Sequence, residues 1–406
     1  MDRRNALHGT LLFALLLLAG AAIDAWPSSG RPSDPIHIVP GGAGDRDGRD
    51  WANAGGLAQL PALAVPGGRV WIRADLGPYR IEQAIELHAG GRAGKPTIIA
   101  GVDALGAPMK AILIGRRTVP YRPGGEPGIE VFRLLAGASH LRFRDLSFRD
   151  QGHCFRIAGD IADLEIMNAD ADNVRRFIEN HHAGDVGTAT LSGLTVRNVQ
   201  IRGFSKEAIR LRYDTHDVLI EDVVGDSERQ DGDDFAEGVA FDGSAHDITL
   251  RRVTMRNIQD SVKAFWNGDG FSSELGNYRL RFEDTVSSGN TDAGYDLKSS
   301  DTVLVRASAS DNAANFKFWG RNITLTDCVG LAPYKRGGTG GQNQVQIVAN
   351  ATVTMRGCRL VDSDPTTVVL KVDDGSTLEL GDTSIVHHPD ARLSDLAPTA
   401  SLSRAH

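Results

Sequence analysis

Along most of this 406-residue chain, apolar and polar residues alternate in short bursts, and one burst recurs. It runs apolar, any, apolar, any, then Asp or Asn (in places Arg, Ala or Gly), then usually a small or apolar residue. Copies begin at Leu141, Leu164, Leu194, Val218, Ile248, Leu280, Val303, Ile323, Val353 and Leu378, at spacings of 20 to 32 residues. Alternation with period two predicts a strand, because successive side chains in a strand point to opposite faces. Recurrence at this period predicts a solenoid, whose coils bury their apolar faces only by stacking on one another. The chain is therefore expected to be all-β, a single-stranded parallel β-helix of ten or more coils.

The ends and the composition refine this picture. Arg3 and Arg4, the apolar run Leu11 to Leu18 and the small residues Ala19 to Ala22 have the pattern of an export signal, expected over residues 1–25. Residues 26–35, rich in Pro and Ser, read as a linker, residues 36–389 as the β-helix, and residues 390–406 as a polar tail. A short capping helix is expected over Trp51 to Leu60, because an open end coil would expose core and strand edge. The 46 glycines and an aromatic content of 6% fit many tight turns around thin aliphatic cores. A net charge of −8 argues against nucleic acid as partner. The protein is expected in the periplasm or medium, as a monomer with no stable membrane insertion. Cys154, Cys328 and Cys358 are too few, and odd in number, for a disulfide framework. Cys328 and Cys358 share one slot of the repeat and read as stacked inward thiols, with an inter-coil disulfide as the alternative.

A second strand precedes the repeat in the central coils. Aligning Ala208 to Tyr213, Gly238 to Gly243, Ser261 to Trp266, Gly294 to Ser299 and Asn315 to Gly320 by their apolar pairs gives two outward columns. One reads Arg210, Ala240, Lys263, Asp296, Lys317. The other reads Arg212, Asp242, Phe265, Lys298, Trp319. With coils about 4.8 Å apart, this predicts a charged, aromatic-bearing patch roughly 20 Å long. Excursions at Gly225 to Glu237 and Ala332 to Gly341 are expected to wall it. Such a patch suits an acidic polysaccharide, with Phe265 and Trp319 as sugar platforms.

Two stretches resemble known proteins. The opening Gly91-Arg-Ala-Gly-Lys-Pro-Thr-Ile-Ile-Ala100 resembles the entry of pectate-lyase-like β-helices, which implies the right-handed form of the fold. Asn267-Gly-Asp269-Gly-Phe271, then Gly276-Asn277, then Asn290-Thr-Asp292-Ala-Gly-Tyr-Asp296 resembles the central coils of family 9 pectate lyases. Those carry Asn-Ala-Asp-Gly-Phe, Gly-Asn and Asn-Ser-Asp-Asp-Gly-Trp-Asp. Asp269 and Asp296 match the family's positions. The resemblance implies calcium as cofactor, but the acidic residues that precede the family's first phrase are Phe265 and Trp266 here. The second Asp of its last phrase is Ala293. A calcium site would have to be rebuilt from Asp233, Asp234, Asp242 and Asp269. The family's catalytic lysine, which follows at a longer spacing, corresponds only loosely to Lys298.

β-Elimination removes the proton next to a uronate carboxylate, so it needs a base and groups that neutralise that carboxylate. Lys298 is the expected base, with Lys263 and Lys317 on the flanking coils lowering its pKa and Asp296 opposing them. Arg210 and Arg212 are the expected carboxylate clamps, and Lys317, Phe265, Trp319 and Asp296 the substrate-binding set. Tyr213-Asp-Thr-His-Asp217 superficially resembles a phrase of alginate carbon-5 epimerases but falls where a turn belongs. His181-His182 has no accompanying ligand set for zinc. The reading is an exported polysaccharide lyase, with three alternatives on the same fold: a non-catalytic glycan-binding or surface-assembly protein, a uronate epimerase, or a glycoside hydrolase.

Overall fold

A computed structural model describes residues 34–405; the expected signal segment and most of the linker lie outside the described residues. The described residues form 32 strands, each paired in parallel with strands of the neighbouring coils. It is the right-handed parallel β-helix expected. Rung for rung, Leu141 pairs Leu164, then Leu194, Val218, Ile248 and Leu280. Lower in the stack Ile323 pairs Val353, and Val353 pairs Leu378. In every burst but the one at Val303 the first and third residues are buried in one shared apolar core.

One copy is displaced by a residue. Thr302, not Val303, pairs with Ile323, so Thr302 and Leu304 face the core while Val303 is only half-buried. An inward threonine hides the register from an apolarity pattern. Its hydroxyl is satisfied by Ser299 Oγ at 2.8 Å, which offsets the cost of burying it.

The recurrent Asp or Asn has a backbone cause. Asp145, Asn168, Asn198, Asp222, Arg252, Asp284, Arg306, Asp327 and Asp382 all have φ between 48° and 56°, and Gly357 has φ 62°. The chain turns a corner there in the left-handed region, which Asp, Asn and Gly enter most readily. The burst thus encodes both a strand and the corner that ends it.

At the ends the expected short capping helix is present with shifted bounds, and the C-terminal segment differs from expectation. The capping helix over Trp51 to Leu60 is two pieces, a 3-10 turn Trp51–Asn53 and a helix from Leu57–Gln59 into Leu60–Leu63. Gly55 and Gly56 divide them, and Gly55 bridges to Ile38 instead. Leu57 and Leu60 still plug the first coil. The segment read as a polar tail also contributes strands. Arg392–Leu396 and Ser401–Ala405 pair with the preceding coil, carried by backbone hydrogen bonds rather than by apolar patterning.

Inside the central coils Phe271, Tyr295 and Phe316 stack ring on ring, at 5.0 and 5.4 Å. Such contacts add about 0.5–1.5 kcal/mol each beyond burial. Cys328 and Cys358 are free, buried thiols in neighbouring coils. No helix among the described residues is long and apolar enough to cross a membrane.

Candidate functional site

The second-strand column departs from the sequence alignment at one coil. Ser261 to Trp266 is not a strand. That coil's strand is Asp269–Ser273, with Phe271 opposite Val239 and Tyr295. Val262, aligned as an inward residue, is 49% exposed. The true column reads Glu179, Arg210, Ala240, Ser272, Asp296, Lys317, Gln346. Asp269 sits at the corner before Ser272, opposite Glu237. The misalignment arose because Ser-Val-Lys-Ala-Phe alternates as well as a strand does.

The corrected register brings together Asp269, Asp292, Asp296 and Lys317, each buried. Lys317 Nζ lies 2.8 Å from Asp296 Oδ2 and 3.0 Å from Asp292 Oδ2. One oxygen from each of the three carboxylates lies within 4.8 Å of the others. Trp319 Nε1 donates to Asp296 Oδ1 at 2.7 Å, and the Ala293 amide donates to Asp269 Oδ1 at 2.7 Å. The Phe265 and Trp319 rings stand 5.5 and 5.7 Å from Lys317 Nζ. A pocket of about 290 Å³ opens over the centre, lined in part by Phe265, Asp292, Lys317, Trp319 and Lys371. The glycines of the two Asp-Gly-aromatic and Gly-aromatic-Asp phrases permit this approach. A Cβ at Gly270 would meet Ser287 Oγ at 1.9 Å, and one at Gly294 the Asn315 carbonyl oxygen at 2.6 Å.

Burial and the neighbouring Asp292 and Asp296 charges hold the Asp269 carboxyl well above the usual carboxylate range. Burial raises Asp292 as well, against the opposing pull of Lys317. Burial draws the Lys317 ammonium down, but Asp296, Asp292 and Asp269 outweigh it and hold it above the ordinary lysine value. On the next coil, burial and then the Glu207 charge push Glu237 up to about 8.

Three buried carboxylates facing one ammonium are a hard, oxygen-only donor set in excess of local positive charge. That chemistry fits a calcium-like cation. Asp269, Asp292 and Asp296 are the residues that would hold it. Of the rebuilt set only Asp269 lies here. Asp233 accepts from Ser205 Oγ and faces Arg175, Asp234 faces Lys263, and Asp242 faces Arg210 and Arg212.

The expected catalytic residues are spread out. Lys298 pairs with Glu274 at 2.7 Å and lies beside Trp319. Burial lowers its pKa, but Glu274 and Asp296 prevail and raise it. The lysine aligned with its flanking coil, Lys263, is instead on an exposed loop, 2.5 Å from Asp234. The expected lowering of Lys298 by Lys263 is therefore absent, because Glu274 follows that coil's strand. Arg210 is engaged by Asp242 at 2.7 Å and by Glu207 at 3.4 Å. Arg212 lies 3.8 Å from Asp242. Lys317, Phe265 and Trp319 line the pocket, and Asp296 is held against Lys317 and Trp319. Asp292, not among the site residues expected from the sequence, lies within the family-like phrase, where it matches the first Asp of Asp-Asp-Gly-Trp-Asp.

No protein-family model matches the chain, and no curated protein matches it in sequence. Solved structures do. Pectate lyase Pel9A superposes with a TM-score of 0.53 at 14% identity, over 84% of this chain and 78% of that one. The A-module of mannuronan C-5 epimerase AlgE6 from Azotobacter vinelandii gives 0.53 at 10% identity, over 90% and 97%. The catalytic domain of a GH87 alpha-1,3-glucanase in complex with tetrasaccharides gives 0.56 at 14% identity, over 94% and 70%. The chain has the pectate-lyase-like β-helix fold. At these identities the likeness describes the fold alone. A lyase, an epimerase and a glucanase share it, so the reaction must be argued from the site.

Proposed function

We propose that the chain is an exported polysaccharide lyase that cleaves an acidic, uronate-containing polysaccharide by β-elimination, with Lys317 as base. The observation that carries this reading is a buried lysine held between two aspartates under an open pocket edged by two aromatic rings. Phe265 and Trp319 present flat apolar faces to the sugar ring. Lys317 Nζ takes the proton from the carbon next to the substrate carboxylate. The electron pair left behind forms the ring double bond, and the glycosidic oxygen departs with its bonding pair and gains a proton.

A lysine acts as base only when neutral. Lys317 reaches that state when its carboxylate partners are otherwise neutralised, because burial then lowers its pKa unopposed. A calcium-like cation, when bound, supplies positive charge against the substrate carboxylate as charge builds in the transition state. Lys298 stands one slot further along, its charge retained by Glu274, and is suited to hold a neighbouring uronate carboxylate.

The test is ultraviolet absorbance from unsaturated uronate ends, on pectate, alginate, glycosaminoglycans and bacterial acidic polysaccharides, with and without a chelator. Signal on at least one polymer, lost on chelation, is expected. No signal on any of them, with binding retained, would favour a non-catalytic glycan binder. Inversion at carbon 5 without new absorbance would mean an epimerase.

A further inference from the structure

The wall of the cleft carries a second cationic feature that the reaction centre does not use. The loop before Glu237 ends in Phe235, whose ring is 48% exposed. Its φ is +59°, a left-handed conformation that a bulky aromatic residue rarely adopts. The conformation is imposed by Asp260. This aspartate is fully buried and accepts from the Phe235 amide at 2.7 Å and the Val262 amide at 3.1 Å. The Asp260 amide in turn donates to Thr291 Oγ1 at 3.1 Å, beside Asp292. The Asp260 carboxylate thus ties the Phe235 loop to the loop that delivers Phe265, and its backbone amide ties both to the coil of the reaction centre.

Two ammonium groups stand over the Phe235 ring, Lys263 Nζ at 5.0 Å and Lys206 Nζ at 5.9 Å. Both converge on Asp234. Lys263 reaches its carboxylate, whereas Lys206 donates to its backbone carbonyl oxygen, a neutral partner. At the surface Lys206, Lys263 and Asp234 therefore sum to one positive charge, while the Asp260 carboxyl behind them is fully buried and held above its usual range by that burial. That charge sits on an exposed apolar platform, where an ammonium is less screened than in bulk water. Backbone strain of this kind persists where surrounding structure over-determines it, commonly at ligand contacts.

We propose that Lys206, Lys263 and Phe235 form an outer subsite that binds the carboxylate of a uronate unit on the same polysaccharide chain, away from the unit cleaved at Lys317. The inference rests on the acidic-polysaccharide reading and extends it. It makes binding depend on chain length, because only longer oligomers reach both places.

The test compares wild type with Lys206→Met/Lys263→Met and with Phe235→Ala. Calorimetric titration uses oligogalacturonides and oligomannuronates of two to eight units, with turnover measured in parallel. A loss of about tenfold or more in affinity for the longest oligomers is expected, with short oligomers bound as in wild type. KM for long chains should rise in step while kcat holds. Equal affinities in wild type and variants overturn the subsite, as does an equal loss at every length. If wild type binds but cleaves nothing, the lyase reading fails and the subsite is still decided by the titration. If wild type binds no acidic oligomer, both fall. Should the double variant fail to fold, Lys263→Glu serves in its place, because that side chain is 57% exposed.

Discussion

Replacing Lys317 by Met tests the electrostatics of the centre independently of any substrate. Lys317 is 7% exposed, and its ammonium faces Asp292 and Asp296 at 3.0 and 2.8 Å, with Asp269 also acting on it. Removing one partner of a buried ion pair typically costs about 3–5 kcal/mol, because the charges left behind are neither paired nor hydrated. The carboxylates can escape part of this cost by taking up protons. Asp269 and Asp292 already titrate above their ordinary range, so the folded state binds more protons than the unfolded state between the unfolded value near pH 4 and the raised folded one. Stability contributed by these groups falls as pH rises through that window. Loss of Lys317 extends the window upward. Lys317 itself, raised on folding, is protonated in both states below about pH 10, the unfolded lysine value, so between pH 5 and pH 8 the cost of its loss changes only through the protonation of its carboxylate partners. The variant should therefore lose about 3–5 kcal/mol at pH 8 and clearly less at pH 5. At pH 8 the urea midpoint should drop by on the order of 1 M. Urea melts at both pH values, followed by far-UV circular dichroism and by tryptophan fluorescence, read this out. Trp319 reports locally, since its indole donates to Asp296. An equal loss at both pH values, or none at pH 8, would refute the reasoning.

Other outcomes follow from other parts of the molecule. Phe316→Ala opens a hole in the buried ring stack and should cost about 3–5 kcal/mol in a thermal or urea melt; a change below about 1 kcal/mol would mean that the stack does not hold the central coils. Asp327 turns its corner at φ 54°. Asp327→Gly should be nearly neutral, whereas Asp327→Val should lower stability by roughly 1–2 kcal/mol. Asp269→Asn keeps the shape of a group already held toward its neutral form. It should fold normally yet bind calcium at least about tenfold more weakly by calorimetry than wild type, and unchanged binding would remove Asp269 from the donor set.

What could be read from the sequence divides along physical lines. The repeat burst announces the solenoid because inward apolar pairs and a left-handed corner residue recur together, and Asp145, Asn198 and Asp327 show both signals at once. Thr302 broke the pattern because its inward side chain is polar and satisfied by Ser299. The site was legible where strands carry it, as at Asp296, Lys317 and Trp319. It was not where loops imitate strands. Ser261 to Trp266 alternates like a strand, and aligned as one it puts Lys263 beside Asp296, where Ser272 belongs, and Phe265 beside Lys298, where Glu274 belongs. Phe265 reaches the pocket all the same, by folding over from the wall. The three-carboxylate cluster draws Asp292 from a corner and Asp296 from a strand, a juxtaposition no period reveals. Glu237 became visible only with the register, which sets it opposite Asp269.

The central claim is that Lys317 performs the proton abstraction. The direct measurement is the rate of unsaturated-uronate formation on the responsive polymer by wild type, Lys317→Ala and Lys298→Ala, each first shown to be folded. A loss of about 10²–10⁴-fold is expected for Lys317→Ala, the scale of a general base, with Lys298→Ala retaining most of kcat. Near-normal turnover in Lys317→Ala beside an inactive Lys298→Ala would contradict it.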